Sequence, residues 1–219
     1  MRKLVVNTFA SLDGVMQAPG GPEEDPTGGF EHGGWSAPFW DDQMMQLMGE
    51  TMAKPFDLLL GRKTYEIFAA HWPHATDQPG AAELNRATKY VVSRTLDRVD
   101  WENSILLEGD VAEAVAALKG TDGPEIQVHG SSDLIQTLLR HGLIDELRVW
   151  IFPVVLGTGK RLFGGGATPS ALRLTDSKVS TTGVVMATYE PEGPLETGSF
   201  ALEEPTEAEV RRREGLRER

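Results

Sequence analysis

The sequence predicts an α/β fold: a mixed, mostly parallel sheet of about eight strands, helices on both faces, and antiparallel pairing at the C-terminal end. Three observations carry this. Short apolar runs alternate with amphipathic segments through the middle of the chain, which is the pattern of strand–helix–strand units. Two of those runs, Asp57 to Leu60 and Glu125 to His129, end in glycine turns that open helices, at Gly61-Arg62-Lys63-Thr64 and Gly130-Ser131-Ser132. The last two runs, Leu172 to Val179 and Val184 to Tyr189, flank Thr181-Thr182-Gly183 with no helix between them, so they pair as neighbours.

Taken in order, Lys3 to Phe9 (KLVVNTF) is apolar enough for a buried first strand, and Ser11-Leu12-Asp13-Gly14 is the turn that ends it. Residues 18 to 34 are rich in Gly and Pro and carry Glu23, Glu24, Asp25 and Glu31. They form a long surface loop, either functional or a mobile acidic insertion. Pro38 to Lys54 reads as a helix with Met44, Leu47, Met48 and Met52 on one face, ended by Pro55. The strand at Asp57 to Leu60 then turns into a helix through Tyr65, Ile67 and Phe68. A loop from Pro73 to Gly80 precedes one or two helical turns at Ala81 to Arg86. Thr88 to Val92 is a strand ending at Ser93-Arg94-Thr95, Ser104 to Leu107 is another, and Asp110 to Lys119 is an alanine-rich helix. Glu125 to His129 leads into a helix from Asp133 to Arg140, and Asp145 to Val155 is a long strand interrupted by Pro153. Gly157, Gly159 and the glycines at 164 to 166 make a flexible tract before the terminal hairpin. The first 190 residues thus form one domain, and residues 191 to 219, rich in Glu and Arg, are a charged tail or a loosely docked helix.

A length of 219 residues is enough to bury a substantial core, and 40% hydrophobic with 25% charged residues is ordinary for a globular chain. The net charge of −12 argues against a nucleic-acid backbone or an anionic membrane as partner, since both repel such a surface. The absence of cysteine excludes disulfides and thiolate zinc sites. Met1-Arg2-Lys3 leads directly into a strand rather than a signal peptide, so the expected location is cytoplasmic. His32, His71 and His74 lack a metal-binding spacing, and no metal site is expected.

Three features point to anions. Arg62 and Lys63 stand at a helix start, Ser93 and Arg94 at a strand end, and Gly130, Ser131 and Ser132 at another helix start. Helix starts offer unpaired N–H groups and the positive end of the dipole. In a parallel sheet all three belong to the carboxyl edge, where ligands bind. A pyrophosphate needs such donors, and a 2′-phosphate suits an arginine fork, so the pattern favours NADPH over NADH. The GxGxxG fingerprint is not at these junctions, which argues against a standard Rossmann domain.

With these motifs the chain resembles the dihydrofolate reductase-like proteins. Within them it is most similar to the branch named for the C-terminal reductase domain of the bifunctional riboflavin-biosynthesis deaminase-reductase. The resemblance spans about Lys3 to Tyr189 and rests on Ser11-Leu12-Asp13-Gly14, Leu60 to Glu66 (LGRKTYE), Val92 to Thr95, Val128 to Leu134 (VHGSSDL) and Leu143 to Gly159. It implies a three-layer sandwich, NADPH as cofactor, hydride transfer to a small planar heterocyclic or carbonyl substrate, and a homodimer. It assigns Gly61, Arg62, Lys63 and Thr64 to the cofactor phosphates. Ser93 and Arg94 fall to the adenosine 2′-phosphate, and Gly130, Ser131 and Ser132 to the turn beside the pyrophosphate and nicotinamide. Two residues depart from the pattern. Ser131 stands where dihydrofolate reductase usually has a second glycine. Asn7 stands where the riboflavin-pathway 5-amino-6-(5-phosphoribosylamino)uracil reductases commonly carry lysine, which bears on the substrate. With no cysteine in the sequence, a zinc-deaminase half is not expected within these 219 residues.

Hydride transfer needs alignment and exclusion of water rather than a protein nucleophile. Asp13, Asp41 and Asp42 are the candidate acids. Asp41 or Asp42 matches by position the pterin-binding carboxylate of dihydrofolate reductase, or merely caps the helix, and Asp13 is equally an ordinary turn residue. Asn7 and Trp40 are the candidate substrate contacts. Phe30, Trp35, Phe39 and Trp40 either cover a flat heterocycle or anchor the long loop. The competing class is a non-catalytic, nucleotide-binding dimeric scaffold that kept only the cofactor edge.

Overall fold

The structure, a computed structural model, describes residues 1–164 and 167–217. The glycines at 165 and 166, part of the tract expected to be flexible, and the last two residues of the tail lie outside the described residues. The strands are β1 (Leu4–Ser11), β2 (Phe56–Gly61), β3 (Lys89–Val92), β4 (Ser104–Leu107), β5 (Glu125–His129), β6 (Glu146–Phe152), β7 (Ala171–Val179) and β8 (Val185–Gly193). The helices are α1 (Asp42–Met52), α2 (Arg62–His71), α3 (Ala81–Arg86), α4 (Val111–Lys119), α5 (Ser132–Arg140) and α6 (Glu207–Arg217). One eight-stranded sheet runs in the order β4-β3-β2-β5-β1-β6-β8-β7. Its first six strands are parallel, and β8 and β7 pair antiparallel at the far edge, as the sequence pattern predicts.

Strand crossovers of this kind are right-handed, so connections that travel opposite ways along the sheet put their helices on opposite faces. On one face α4 and α5 bury Val115, Leu118, Leu134, Ile135 and Leu138 against Leu4, Val6, Ile126, Val128 and Leu147. On the other, α1 lays Met44, Leu47 and Met48 over Phe9, Trp150 and Phe152. Beside it α2 and α3 pack Tyr65, Phe68 and Leu84 on Leu58, Leu60 and Val91. A buried ion pair of Arg2 with Asp57 ties the start of β1 to β2, and Arg2 Nε also donates to the Pro124 carbonyl at 2.7 Å.

Several expected boundaries move for local reasons. The helix expected from Pro38 splits into a 3-10 turn at Ala37–Phe39 and α1, because Trp40 is extended and Asp41 accepts from Met44 N–H as the N-cap. β6 stops at Phe152, before Pro153, which has no N–H to continue a ladder. β8 runs through Pro191 to Gly193, where the ladder with β7 is irregular and the missing donor is tolerated. In the tail α6 is a helix without a buried residue.

Candidate active site

The parallel strands share one carboxyl edge, and there β2 and β5 are neighbours whose following helices leave on opposite faces. Such a divergence opens a crevice at the strand ends. A groove of about 2570 Å³ lies there. A drug-sized ligand needs roughly 300–1,000 Å³, so this groove has room for a dinucleotide and a second molecule together. All nine residues expected to hold the cofactor line it: Gly61 to Thr64, Ser93, Arg94 and Gly130 to Ser132.

Backbone chemistry explains the shape. The helices α1 and α4 start under carboxylate caps, Asp41 and Asp110. In contrast α2 and α5 start at Gly61 and Ser131 with no side-chain cap, so the first-turn N–H groups are left for another acceptor. Gly130 and Ser131 both adopt left-handed backbone, φ 65° and 66°, which lets the chain turn at once from β5 into α5. The Ser131 hydroxyl bridges the two helix starts: it accepts from Gly61 N–H at 2.9 Å and donates to Thr64 Oγ1 at 2.8 Å. A Cβ at Gly61 would stand 3.1 Å from that hydroxyl, so a larger residue would crowd the bridge. Gly61 pairs with Val92 across the ladder, so Arg62 and Ser93 leave the sheet side by side. Arg62 pairs with Glu66 at 3.3 Å. Arg94 is exposed and has no ion-pair partner among the described residues. Ser93 Oγ accepts from the N–H groups of Thr95 and Leu96, which fixes the turn that presents Arg94.

The other end of the groove is built on β1 and β6. Phe9, Trp40 and Trp150 make an aromatic wall, with Trp40 edge-on to Phe9 at 5.6 Å. Beyond it the floor becomes polar, since Asn7 is flanked by His129 on β5 and Arg148 on β6. The Asn7 Nδ2 is buried with no hydrogen-bond partner. Burial, then the Arg148 cation, push His129 down to about 4, so the imidazole is neutral at neutral pH. Arg148 is itself held by Glu125 and Glu146. Sequence reasoning passed over His129 and Arg148. The signal was a charged residue inside the apolar run Glu146–Phe152.

The three expected acids are placed elsewhere. Asp41 accepts from Met44 N–H with one oxygen and, at 2.7 Å, from both the N–H and hydroxyl of Thr181 with the other, which clamps the terminal hairpin to α1. Asp42 is exposed in the first turn of α1. Asp13 is lowered to about 2 by the Ser11 hydroxyl and then by the N–H groups of Leu156 and Gly157, and it latches its turn to the chain after β6. None of the three lines the groove. The aromatic cluster divides as well. Trp40 faces the groove, whereas Phe30 and Trp35 are buried, with Trp35 Nε1 donating to the Gln17 carbonyl at 2.7 Å, and anchor the loop at 18 to 34. Among the described residues no cluster of His, Asp and Glu could hold a metal ion, and no helix is long and apolar enough to cross a membrane.

Comparison with known proteins agrees with this architecture. The YyaP protein of Bacillus subtilis strain 168, itself uncharacterized, is 30% identical over 196 residues, 86% of this chain and 94% of that protein. The diaminohydroxyphosphoribosylaminopyrimidine deaminase/5-amino-6-(5-phosphoribosylamino)uracil reductase of Thermotoga maritima superposes with a TM-score of 0.58 at 13% identity, over 87% of this chain and 56% of its own. Dihydrofolate reductase from Enterococcus faecalis, complexed with NADP(H), gives 0.56 at 16% identity over 87% of this chain and 96% of its own. At such identities these two likenesses speak for the fold. A family model described as the RibD C-terminal domain matches residues 2–187, which take in β1 to β7 and the start of β8, and the chain therefore belongs to the RibD C-terminal domain family.

Proposed function

We propose that this protein is an NADPH-dependent reductase acting on a small planar heterocyclic or carbonyl substrate. A reductase-type activity accords with the family and the fold. The finer reading rests mainly on one observation: two uncapped helix starts and the Ser93-Arg94 turn open onto a single groove. The residues present fit the cofactor. The amides of α2 and α5 suit a pyrophosphate, Gly61 admits close approach, and an exposed guanidinium beside a fixed serine turn suits a 2′-phosphate.

When bound, the reduced nicotinamide supplies the hydride. The chain's own contribution is placement. Gly130 and Ser131 hold the turn beside β1, while Phe9, Trp40 and Trp150 give a flat substrate a surface to stack on and keep water out. Asn7 brings a hydrogen-bonding amide to the floor, where lysine would have placed a charge. A neutral His129 supplies polarity there without acting as an acid at neutral pH. Asn7 and Trp40 are on this reading the substrate contacts, and the homodimer is carried with it.

The test is oxidation of NADPH, followed by loss of reduced-nicotinamide absorbance, across a panel of folates, pyrimidines and quinone-like carbonyls. Turnover with at least one class is the expected result. Tight cofactor binding without turnover on any class would favour the scaffold reading.

A further inference from the structure

Residues 18 to 34 form an ordered strap whose first part, 18 to 25, lines the groove. Its carboxylates have different tasks. Glu24 turns inward and accepts from the N–H groups of Gly20 and Gly21 at 2.6 and 3.1 Å. Asp25, the next residue, pairs with Lys160, from the chain after β6. Beside that pair stands Lys63, in the first turn of α2. Both ammonium groups converge on one hydroxyl: Lys160 Nζ donates to Thr27 Oγ1 at 2.9 Å, and Lys63 Nζ does so at 3.4 Å. Lys63 and Lys160 both line the groove.

Two ammonium groups sharing one neutral oxygen and one carboxylate leave a positive charge uncompensated. Like charges so close disfavour each other's protonated forms. Contact with Lys160, then burial, hold Lys63 below the ordinary lysine range. Burial works to raise Asp25, but the hydrogen bonds from Lys160 and Thr27 outweigh it and keep the carboxyl ionised below the usual range. The arrangement is completed by an anion with more than one charge and several acceptor oxygens, and a single carboxylate only half meets that need.

We propose that Lys63 and Lys160 form an anion subsite that grips the bridging phosphates of the dinucleotide, and that Asp25 occupies it as a built-in competitor when the groove is free. Arrival of the phosphates displaces Asp25 and frees the strap at that point, so binding and strap position are linked. Lys160 is thereby given a binding role that nothing in its glycine-rich sequence surroundings signals. The proposal rests on the reading of the groove as a dinucleotide site.

The test is a titration of the full chain with NADPH and, separately, with inorganic pyrophosphate. It uses the wild type, Lys160→Met, Lys160→Arg and Asp25→Asn. Loss of one charged hydrogen bond corresponds to about tenfold or more. Lys160→Met is expected to weaken both ligands by that factor, Lys160→Arg to retain most of the affinity, and Asp25→Asn to tighten both. Unchanged pyrophosphate binding in Lys160→Met, or unchanged or weaker binding in Asp25→Asn, overturns the proposal. If Arg94→Ala loses NADPH while Lys160→Met loses neither ligand, the subsite falls and the dinucleotide reading stands. If pyrophosphate binds through Lys160 while NADPH does not bind at all, the dinucleotide reading falls and the anion site stands.

Discussion

Ser131 carries two opposed effects in one residue. Its left-handed backbone costs an L-residue roughly 1–2 kcal/mol, while its hydroxyl joins Gly61 N–H to Thr64 Oγ1. A hydrogen bond of that kind contributes about 0.5–1.5 kcal/mol. Ser131→Ala keeps the strain and loses the bridge, whereas Ser131→Gly loses the bridge and relieves the strain. Urea denaturation should find the alanine variant less stable by about 1 kcal/mol and the glycine variant closer to wild type, and the reverse order would contradict this account of the turn. The sequence announces the turn at Gly130 to Ser132 but not the bridge, whose partners are 70 residues apart. Lys89 is a second residue with a measurable signature. It is fully buried, donates to the carbonyl of Asn85 at 2.7 Å, and lies 4.1 Å from the centre of the Trp101 ring. Burial lowers it from 10.5 to about 8. A lysine depressed in the folded state is penalised while charged, so the penalty is full below pH about 8 and disappears as pH rises towards 10.5. The stability difference between wild type and Lys89→Met should therefore shift in favour of the wild type across that window, and a pH-independent difference would contradict the assignment.

At the scale of elements, helix α1 shows what pattern reading finds and what it misses. The methionine spacing places the helix and its inner face correctly, and Met44 is fully buried. The start is misplaced by several residues because Trp40 turns out to be extended and Asp41 commits its oxygens to Met44 and Thr181. That long-range contact, from α1 to the terminal hairpin, has no local signal. It also separates two roles by experiment. Asparagine caps a helix about as well as aspartate, and alanine does not. The asparagine amide nitrogen cannot accept from Thr181, however, so Asp41→Asn should retain turnover with a melting temperature between those of the wild type and Asp41→Ala, which loses both contacts. Loss of turnover in folded Asp41→Asn would return Asp41 to the acid role. The strap at 18 to 34 was legible as a loop from its glycines and prolines. Its order was not, because it comes from Trp35, Phe30, Gln17 and Lys160 meeting in three dimensions.

At the scale of the molecule, the parallel sheet does the organising: it carries turns that are far apart in sequence to one edge. The order of apolar runs and glycine junctions was sufficient to predict that edge, since it follows from topology alone. The groove's substrate end was less legible, because Asn7, His129 and Arg148 come together only through the register of β1 with β5 and β6. The opposite edge has its own consequence. β7 is the last strand of the sheet, and Leu174 and Val179 on it are 52% and 60% exposed. An open strand edge with apolar side chains favours pairing with another chain, which supports the homodimer. Sedimentation velocity should show a dimer that Val179→Lys dissociates, and a wild-type monomer would exclude it. On the proposed function, the ends of β2, β3 and β5 together hold a 2′-phosphorylated dinucleotide. Parallel titrations of wild type and Arg94→Ala with NADPH and NADH test it most directly. Wild type is expected to prefer NADPH, and Arg94→Ala to lose about 10–100-fold for NADPH with little change for NADH. Equal losses for both cofactors, or no binding of either to the wild type, would contradict it.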